Sequence, residues 1–179
     1  MKNIINKGIQ NIKLSLFNPK YLSGLNRFEL PPEQEQFTGL PKKMLRLAEN
    51  DWNRHPVIIV KDDAPVGFFL LNTGTRVLNY TENINALLLT AFSINYKEQG
   101  KGYAKAGLLM LNDFVVKHFP AADEIVLAVN MKNSAARALY ESIGFMDDGR
   151  RTMGPIGEQA VLTSKIIQAT IKQAKKTLI

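Results

Sequence analysis

Cysteine is absent from all 179 residues. That absence removes a disulfide framework, a thiolate zinc site and a cysteine nucleophile together, and it suits a reducing compartment. Long apolar runs are missing too. The longest, Ala86–Phe92 (with Thr90 inside) and Val57–Val60, fall far short of the ~20 residues a membrane helix needs. Met1–Gln10 holds two lysines and no extended apolar stretch, so no secretory leader is expected there. Histidine is scarce. His55 and His118 have no metal-ligand spacing with each other or with a carboxylate pair, so no metal site is expected. Together these absences predict a soluble, cytoplasmic protein without a membrane partner.

Acidic residues are outnumbered by basic ones, 16 to 23, for a net charge of +7. Such a balance suits nucleic acid, an anionic surface or a phosphorylated cofactor. Part of the excess is local, in Lys165, Lys172, Lys175 and Lys176, and reads more simply as a solvated helix face. That stretch lacks the interleaved aromatics that stack on bases, so no nucleic-acid partner is expected.

With 45% hydrophobic residues, the chain can bury a substantial core. No Pro/Ser/Gly-rich linker or internal repeat divides it, which predicts one domain over residues 1–179. Ile12–Phe17 alternates like a strand. Leu40–Trp52 carries apolar residues at helical spacing, with Pro41 tolerated in its first turn. Val57–Val60 and Val66–Asn72 flank the turn Asp62-Asp63-Ala64-Pro65 and predict a hairpin. After irregular Thr73–Asn85 comes a central strand, Ala86–Ile94, then one helix from about Gly102 past Val115. Glu124–Asn130 reads as a buried strand. Asn133 is a good N-cap for a helix to Ser142, and Gly144 suits the left-handed position beyond it. Phe145–Arg151 and Gln159–Ser164 read as two more strands. Ile166–Ile179 is an amphipathic helix pattern, able to pack on its own domain or on a second subunit, and the chain is expected to be a monomer or homodimer. This order of elements describes a mixed α/β sheet domain.

One junction stands out. The central strand runs through Asn95-Tyr96-Lys97-Glu98-Gln99-Gly100-Lys101-Gly102-Tyr103-Ala104 into a helix. A strand entering a small-residue turn before a helix exposes unpaired amides, and glycine lets a phosphate approach them. Lys101 and Lys105 add positive charge. An ordinary strand-to-helix turn would look much the same, so glycines alone do not decide it. Spacing narrows the choice. The dinucleotide fingerprint starting at Gly100 meets Lys105 at its third position, and the P-loop pattern finds no glycine at 95. Q-x-x-G-x-A remains, met by Gln99, Gly102 and Ala104.

On these residues the sequence resembles the GNAT superfamily of N-acetyltransferases, whose signature is Q/R-x-x-G-x-G/A at a helix start. A second block agrees: Asn130–Phe145 looks like the family's N-x-x-A-x-x-L-Y-x-x-x-G-F. The resemblance covers about Val57 to Ser164, and is loose before Trp52. Ala104 replaces a glycine common in the family, and Glu98 sets a negative charge beside the turn; it is expected to point away.

The resemblance implies an acyl-CoA N-acyltransferase fold, a mostly antiparallel sheet with two central splayed parallel strands flanked by helices. It also implies direct transfer of an acetyl group from acetyl-CoA to an amine acceptor. Residues 57–164 would be the cofactor-binding core, 1–55 the acceptor side and 165–179 a C-terminal helix. The edge of the central strand near Phe92 and Ile94 would pair with the pantetheine arm. Gln99, Gly100, Lys101, Gly102, Tyr103 and Ala104 would hold the pyrophosphate. Asn133 is either a ligand of the arm or simply the helix cap. Tyr140 would protonate the leaving thiolate, since a phenol of pKa ~10 stays protonated at neutral pH; without the motif it would read as core. Glu29, Glu82, Glu98 and Asp147 are candidate bases, as is a water chain. Trp52 and Phe37 are expected in the core, with an acceptor pocket as the other option. A non-catalytic acetyl-CoA-binding or partner-docking module of the same fold is the alternative.

Overall fold

The computed structural model describes residues 10–168. Seven strands form one sheet in the order β1-β2-β3-β4-β5-β7-β6. They are β1 (Ile12–Leu16), β2 (Arg54–Lys61), β3 (Ala64–Asn72), β4 (Ala86–Ile94), β5 (Glu124–Asn130), β6 (Met146–Gly154) and β7 (Gly157–Lys165). Short helices α1 (Leu22–Leu25), α2 (Pro32–Glu35) and α3 (Pro41–Ala48) lie between β1 and β2. α4 (Tyr103–Leu109) and α5 (Leu111–His118) join β4 to β5, and α6 (Ser134–Ser142) follows β5.

The central strands explain their own composition. In β2, Val57 and Ile59 pack with Phe69, Leu71, Leu87, Leu108, Phe114 and Val115, on the face covered by α4 and α5. Their neighbours Ile58 and Val60 pack with Phe68, Leu70, Tyr21, Leu25 and Leu45, on the face covered by the N-terminal helices. Successive side chains of a strand point to opposite faces. A strand covered on both faces is therefore apolar without alternation, and Val57–Val60 is fully buried throughout. Each such aliphatic side chain contributes roughly 1.5–3 kcal/mol of transfer free energy.

The 62–63 turn forms as expected, with Asp62 and Asp63 both at positive φ, and β2 and β3 pair antiparallel across it. β4 and β5 pair in parallel only over Ala86–Leu88 with Glu124–Val126. Beyond Leu88 they diverge, and β5 instead keeps its full register with β7 from Glu124 to Asn130. β4 also bulges: Phe68 faces Ser93, but Leu70 faces Thr90, so Ala91 and Phe92 together oppose Phe69. Ala91 takes a left-handed φ of 54°. The extra residue resets the alternation. Leu87 and Leu89 face the α4–α6 side, and past the bulge Phe92 and Ile94 do so, while Ala91 packs with the N-terminal helices.

Several expectations are corrected. The helix expected from Gly102 past Val115 is two helices, with a tightened turn at Met110, whose N–H bonds Gly107 O at 3.1 Å. The Leu40–Trp52 helix stops at Ala48, and Trp52 is 88% exposed, in neither core nor pocket. The stretch between the last two expected strands, which end at Arg151 and resume at Gln159, is itself largely strand, because β6 and β7 stay paired to their turn. Residues 166–168 are not helical; Ile166 is buried against the sheet and its N–H bonds Asp123 O at 2.9 Å. The rest of the expected C-terminal helix lies outside the described residues.

Candidate active site

Where β4 and β5 separate, a cleft of about 850 Å³ opens, within the range of small-molecule sites. Its walls come from β4 (Leu89–Ile94), the turn before α4, β5 (Leu127–Asn130), α6, the β6–β7 turn and the N-terminal stretch from Leu30 to Met44. Phe92, Ile94, Gln99, Gly100, Gly102, Tyr103, Ala104, Asn133 and Tyr140 all line it. Lys101 does not. Its ammonium bonds the Glu98 carboxylate at 2.9 Å, which raises the lysine pKa, and Glu98 itself lines the cleft. The Glu98 carboxylate, expected to point away from the turn, is held by Lys101, and that pairing offsets its charge.

The turn has an unusual hydrogen-bond ledger. Gln99 N–H bonds Tyr96 O at 3.2 Å, and Ala106 N–H bonds Gly102 O at 3.0 Å. Between them, among the described residues, the amides from Gly100 to Lys105 have no hydrogen-bond acceptor. Gly100 and Gly102 sit at φ 74° and 83°, left-handed conformations that glycine adopts without strain. A Cβ at Gly100 would meet nothing within 4 Å, so the space beside it is open. Consecutive free amides in such a turn make an anion-binding concavity. These residues fit a pyrophosphate.

Tyr140 stands on the buried face of α6, its ring 6.1 Å from Phe92 and 5.7 Å from Phe145, both edge-on. Burial pushes its phenol well above the ordinary value of 10, because the anion would lose its water. Among the described residues its hydroxyl makes no hydrogen bond. It is at once a core residue and part of the cleft wall. Asn133 is the helix cap, its Oδ1 accepting from Ala136 N–H at 3.2 Å, while also lining the cleft.

Of the four carboxylates considered as base, only Glu98 reaches the cleft wall. Glu29 pairs with Lys97 at the surface. Asp147 is held by Arg151 and lies near Arg137, which keeps its carboxyl below the usual range. Glu82 lies in a separate shallow depression with Arg150. Phe37 lines the cleft, half-buried. The sequence reading missed Gln34 and Ser93 in the wall, and also Gln159. Ser93 is buried with its hydroxyl unpartnered. Nothing in their local pattern marks them: Ser93 lies just past the β4 bulge, Gln34 is brought in by the path of the N-terminal stretch, and Gln159 by the pairing of β7 with β5 opposite Asn130. His55 is half-buried against Phe119, and burial lowers its pKa. His118 packs on Phe114 in the last turn of α5. No cluster of potential metal ligands occurs among the described residues, and none of their helices is long and apolar enough to cross a membrane.

Known proteins agree with this geometry. The sequence profile of the acetyltransferase (GNAT) family matches residues 22–145, reaching further toward the N-terminus than the two motifs do. A Bacillus subtilis (strain 168) protein named uncharacterized N-acetyltransferase YbbJ is 47% identical over 154 residues, covering 86% of this chain and 96% of that one. Among solved structures, a spermidine N-acetyltransferase from Vibrio cholerae in complex with CoA and spermine superposes with a TM-score of 0.66 at 15% identity, over 87% of this chain and 96% of that one. AAC(6')-Ib in complex with ribostamycin and coenzyme A gives 0.70 at 15% identity, over 87% and 93%. At those identities the two structures speak to the fold. The profile match over most of the chain and the nearly full-length relative make this protein a member of the GNAT family, acetyltransferases that draw on acetyl-CoA.

Proposed function

We propose that the protein transfers an acetyl group directly from acetyl-CoA to a primary amine, in the cleft between β4 and β5. The observation that carries this reading is the run of open amides from Gly100 to Lys105 at the cleft's edge. Acetyl-CoA supplies the activated thioester. The chain's own residues do the rest. The amides of Gly100–Ala104 hold the pyrophosphate, and β4 beyond Leu88, freed from β5, offers its edge near Phe92 and Ile94 to the pantetheine arm. Asn133 bonds the arm with whatever capacity its capping bond leaves. An amide at the Ala91–Phe92 bulge steadies the developing oxyanion. Tyr140 gives its proton to the departing sulfur; its raised pKa keeps that proton in place until it is needed. Holding amine and thioester together supplies effective molarities of ~10^5–10^8 M.

On this reading residues 57–164 are the cofactor core of one domain, and the stretch before residue 55 forms the acceptor side. The absence of cysteine suits the cytoplasm. The test is a thermal-shift and thiol-release screen of acetyl-CoA against diverse primary amines. Saturable, amine-dependent release of CoA thiol is the expected outcome. Binding of acetyl-CoA without thiol release from any amine would instead identify a binding module.

A further inference from the structure

Gln34 and Gln99 are 65 residues apart in sequence, yet their side-chain amides are bonded in both directions. Gln34 Nε2 donates to Gln99 Oε1 at 3.1 Å, and Gln99 Nε2 donates to Gln34 Oε1 at 2.8 Å. Gln99 Nε2 also donates to Ile94 O at 3.0 Å, tying the start of the cofactor turn back to the end of β4. That carbonyl fixes which end of the Gln99 amide is nitrogen, and Gln99 in turn fixes Gln34. The pair is partly buried, where hydrogen bonds are least screened by water.

The same two stretches are joined again nearby. Tyr96 N–H donates to Glu29 O at 2.9 Å, Glu29 N–H donates to Asn95 Oδ1 at 3.3 Å, and Lys97 pairs with Glu29 at 3.1 Å. Contacts at Glu29 anchor the stretch at one end. Gln34, on the far side of the Pro31–Pro32 bend, is where it meets the signature glutamine itself. Directly after it, Phe37 and Thr38 line the cleft.

We propose that Gln34 is a positioning residue for the cofactor. It holds the Gln99 amide in the one orientation that closes the turn on Ile94 O, and so sets the open amides of Gly100–Lys105 for the pyrophosphate. It also makes the acceptor-side wall and the cofactor turn one mechanical unit. The inference rests on the acetyl-CoA reading above and names a residue outside both sequence motifs.

The test is a double-mutant cycle read by calorimetric titration of acetyl-CoA. Variants are Gln34→Leu, Gln99→Leu, the double variant and Gln34→Glu, each with its melting temperature. Losing the pair should weaken acetyl-CoA about five- to tenfold, the scale of one or two net hydrogen bonds. The double variant should be no worse than the weaker single, because the two amides act as one unit. Gln34→Glu keeps the bond from Gln99 Nε2 but sets a carboxylate oxygen against Gln99 Oε1 and a negative charge in the cleft wall, so it should bind acetyl-CoA no better than Gln34→Leu. Melting temperatures should stay within a few degrees. A Gln34→Leu affinity within twofold of wild type, or losses that multiply in the double variant, overturns the proposal. So does an affinity loss that merely tracks a fall in melting temperature across the set. If the wild-type chain itself fails to bind acetyl-CoA, the functional reading falls first and this inference with it.

Discussion

Replacing Tyr140 with phenylalanine separates its two roles, because the ring and the hydroxyl have different partners. The ring packs edge-on against Phe92 and Phe145 at 6.1 and 5.7 Å, and Phe reproduces those contacts. The hydroxyl has no hydrogen-bond partner among the described residues, so its removal strands no buried group. The melting temperature should therefore hold within about 2 °C, against the several degrees expected from a core cavity. Turnover should fall by about 10²–10³, from the 10²–10⁴ range of general acid catalysis, or roughly 2.7–4 kcal/mol of barrier. The affinity for acetyl-CoA should change little. Release of CoA thiol can be read with a disulfide reagent, and the chain contributes no thiol of its own because it has no cysteine. Burial raises the Tyr140 pKa, so no loss of rate near pH 10 should come from its ionisation. Stability carries the matching sign: the folded state keeps a proton that the unfolded chain releases above pH ~10, so stability declines only beyond that point. A variant within twofold of wild-type turnover would refute the acid role and leave Tyr140 as a packing residue.

Two further outcomes follow from the fold. Gly107 brings α4 against the sheet so closely that an added Cβ would lie 2.7 Å from Ile59 Cδ1 and 2.9 Å from its Cγ1. Gly107→Ala should lose about 1–3 kcal/mol despite alanine's better helix propensity, seen as a lower urea midpoint; unchanged stability would mean the Ile59 side chain gives way freely. Asp51 accepts from Arg76 and Arg54, which pull its carboxyl down to about 2. Its contribution is present above the ordinary carboxylate pKa near 4 and is lost as pH falls toward 2. The urea midpoint of wild type should decline over that window, and Asp51→Asn should flatten the part due to this group; parallel pH profiles would dismiss it.

Local rules made much of this protein legible before any coordinates. Alternation placed β1, and short continuous apolar runs placed β2 through β5 within a few residues, because a strand's burial is written in its own side chains. Asn133 and Gly144 marked the ends of α6, since a cap acts within three residues and a left-handed φ is a property of one; Gly144 indeed stands at φ 101°. Gln99, Gly102 and Ala104 with Asn130–Phe145 carried the family. What only the tertiary structure decided involves partners that the local sequence does not specify. Trp52 reads as core by composition, yet it lies just past the end of α3, where nothing covers it. The bulge at Ala91, which turns Phe92 and Ile94 toward the helices, depends on the register against Phe68–Leu70. Gln34 reaches Gln99 across 65 residues only because the N-terminal helices pack on the second face of the sheet. Backbone preferences are set by neighbours in sequence, whereas a cleft is set by which surfaces the whole chain buries.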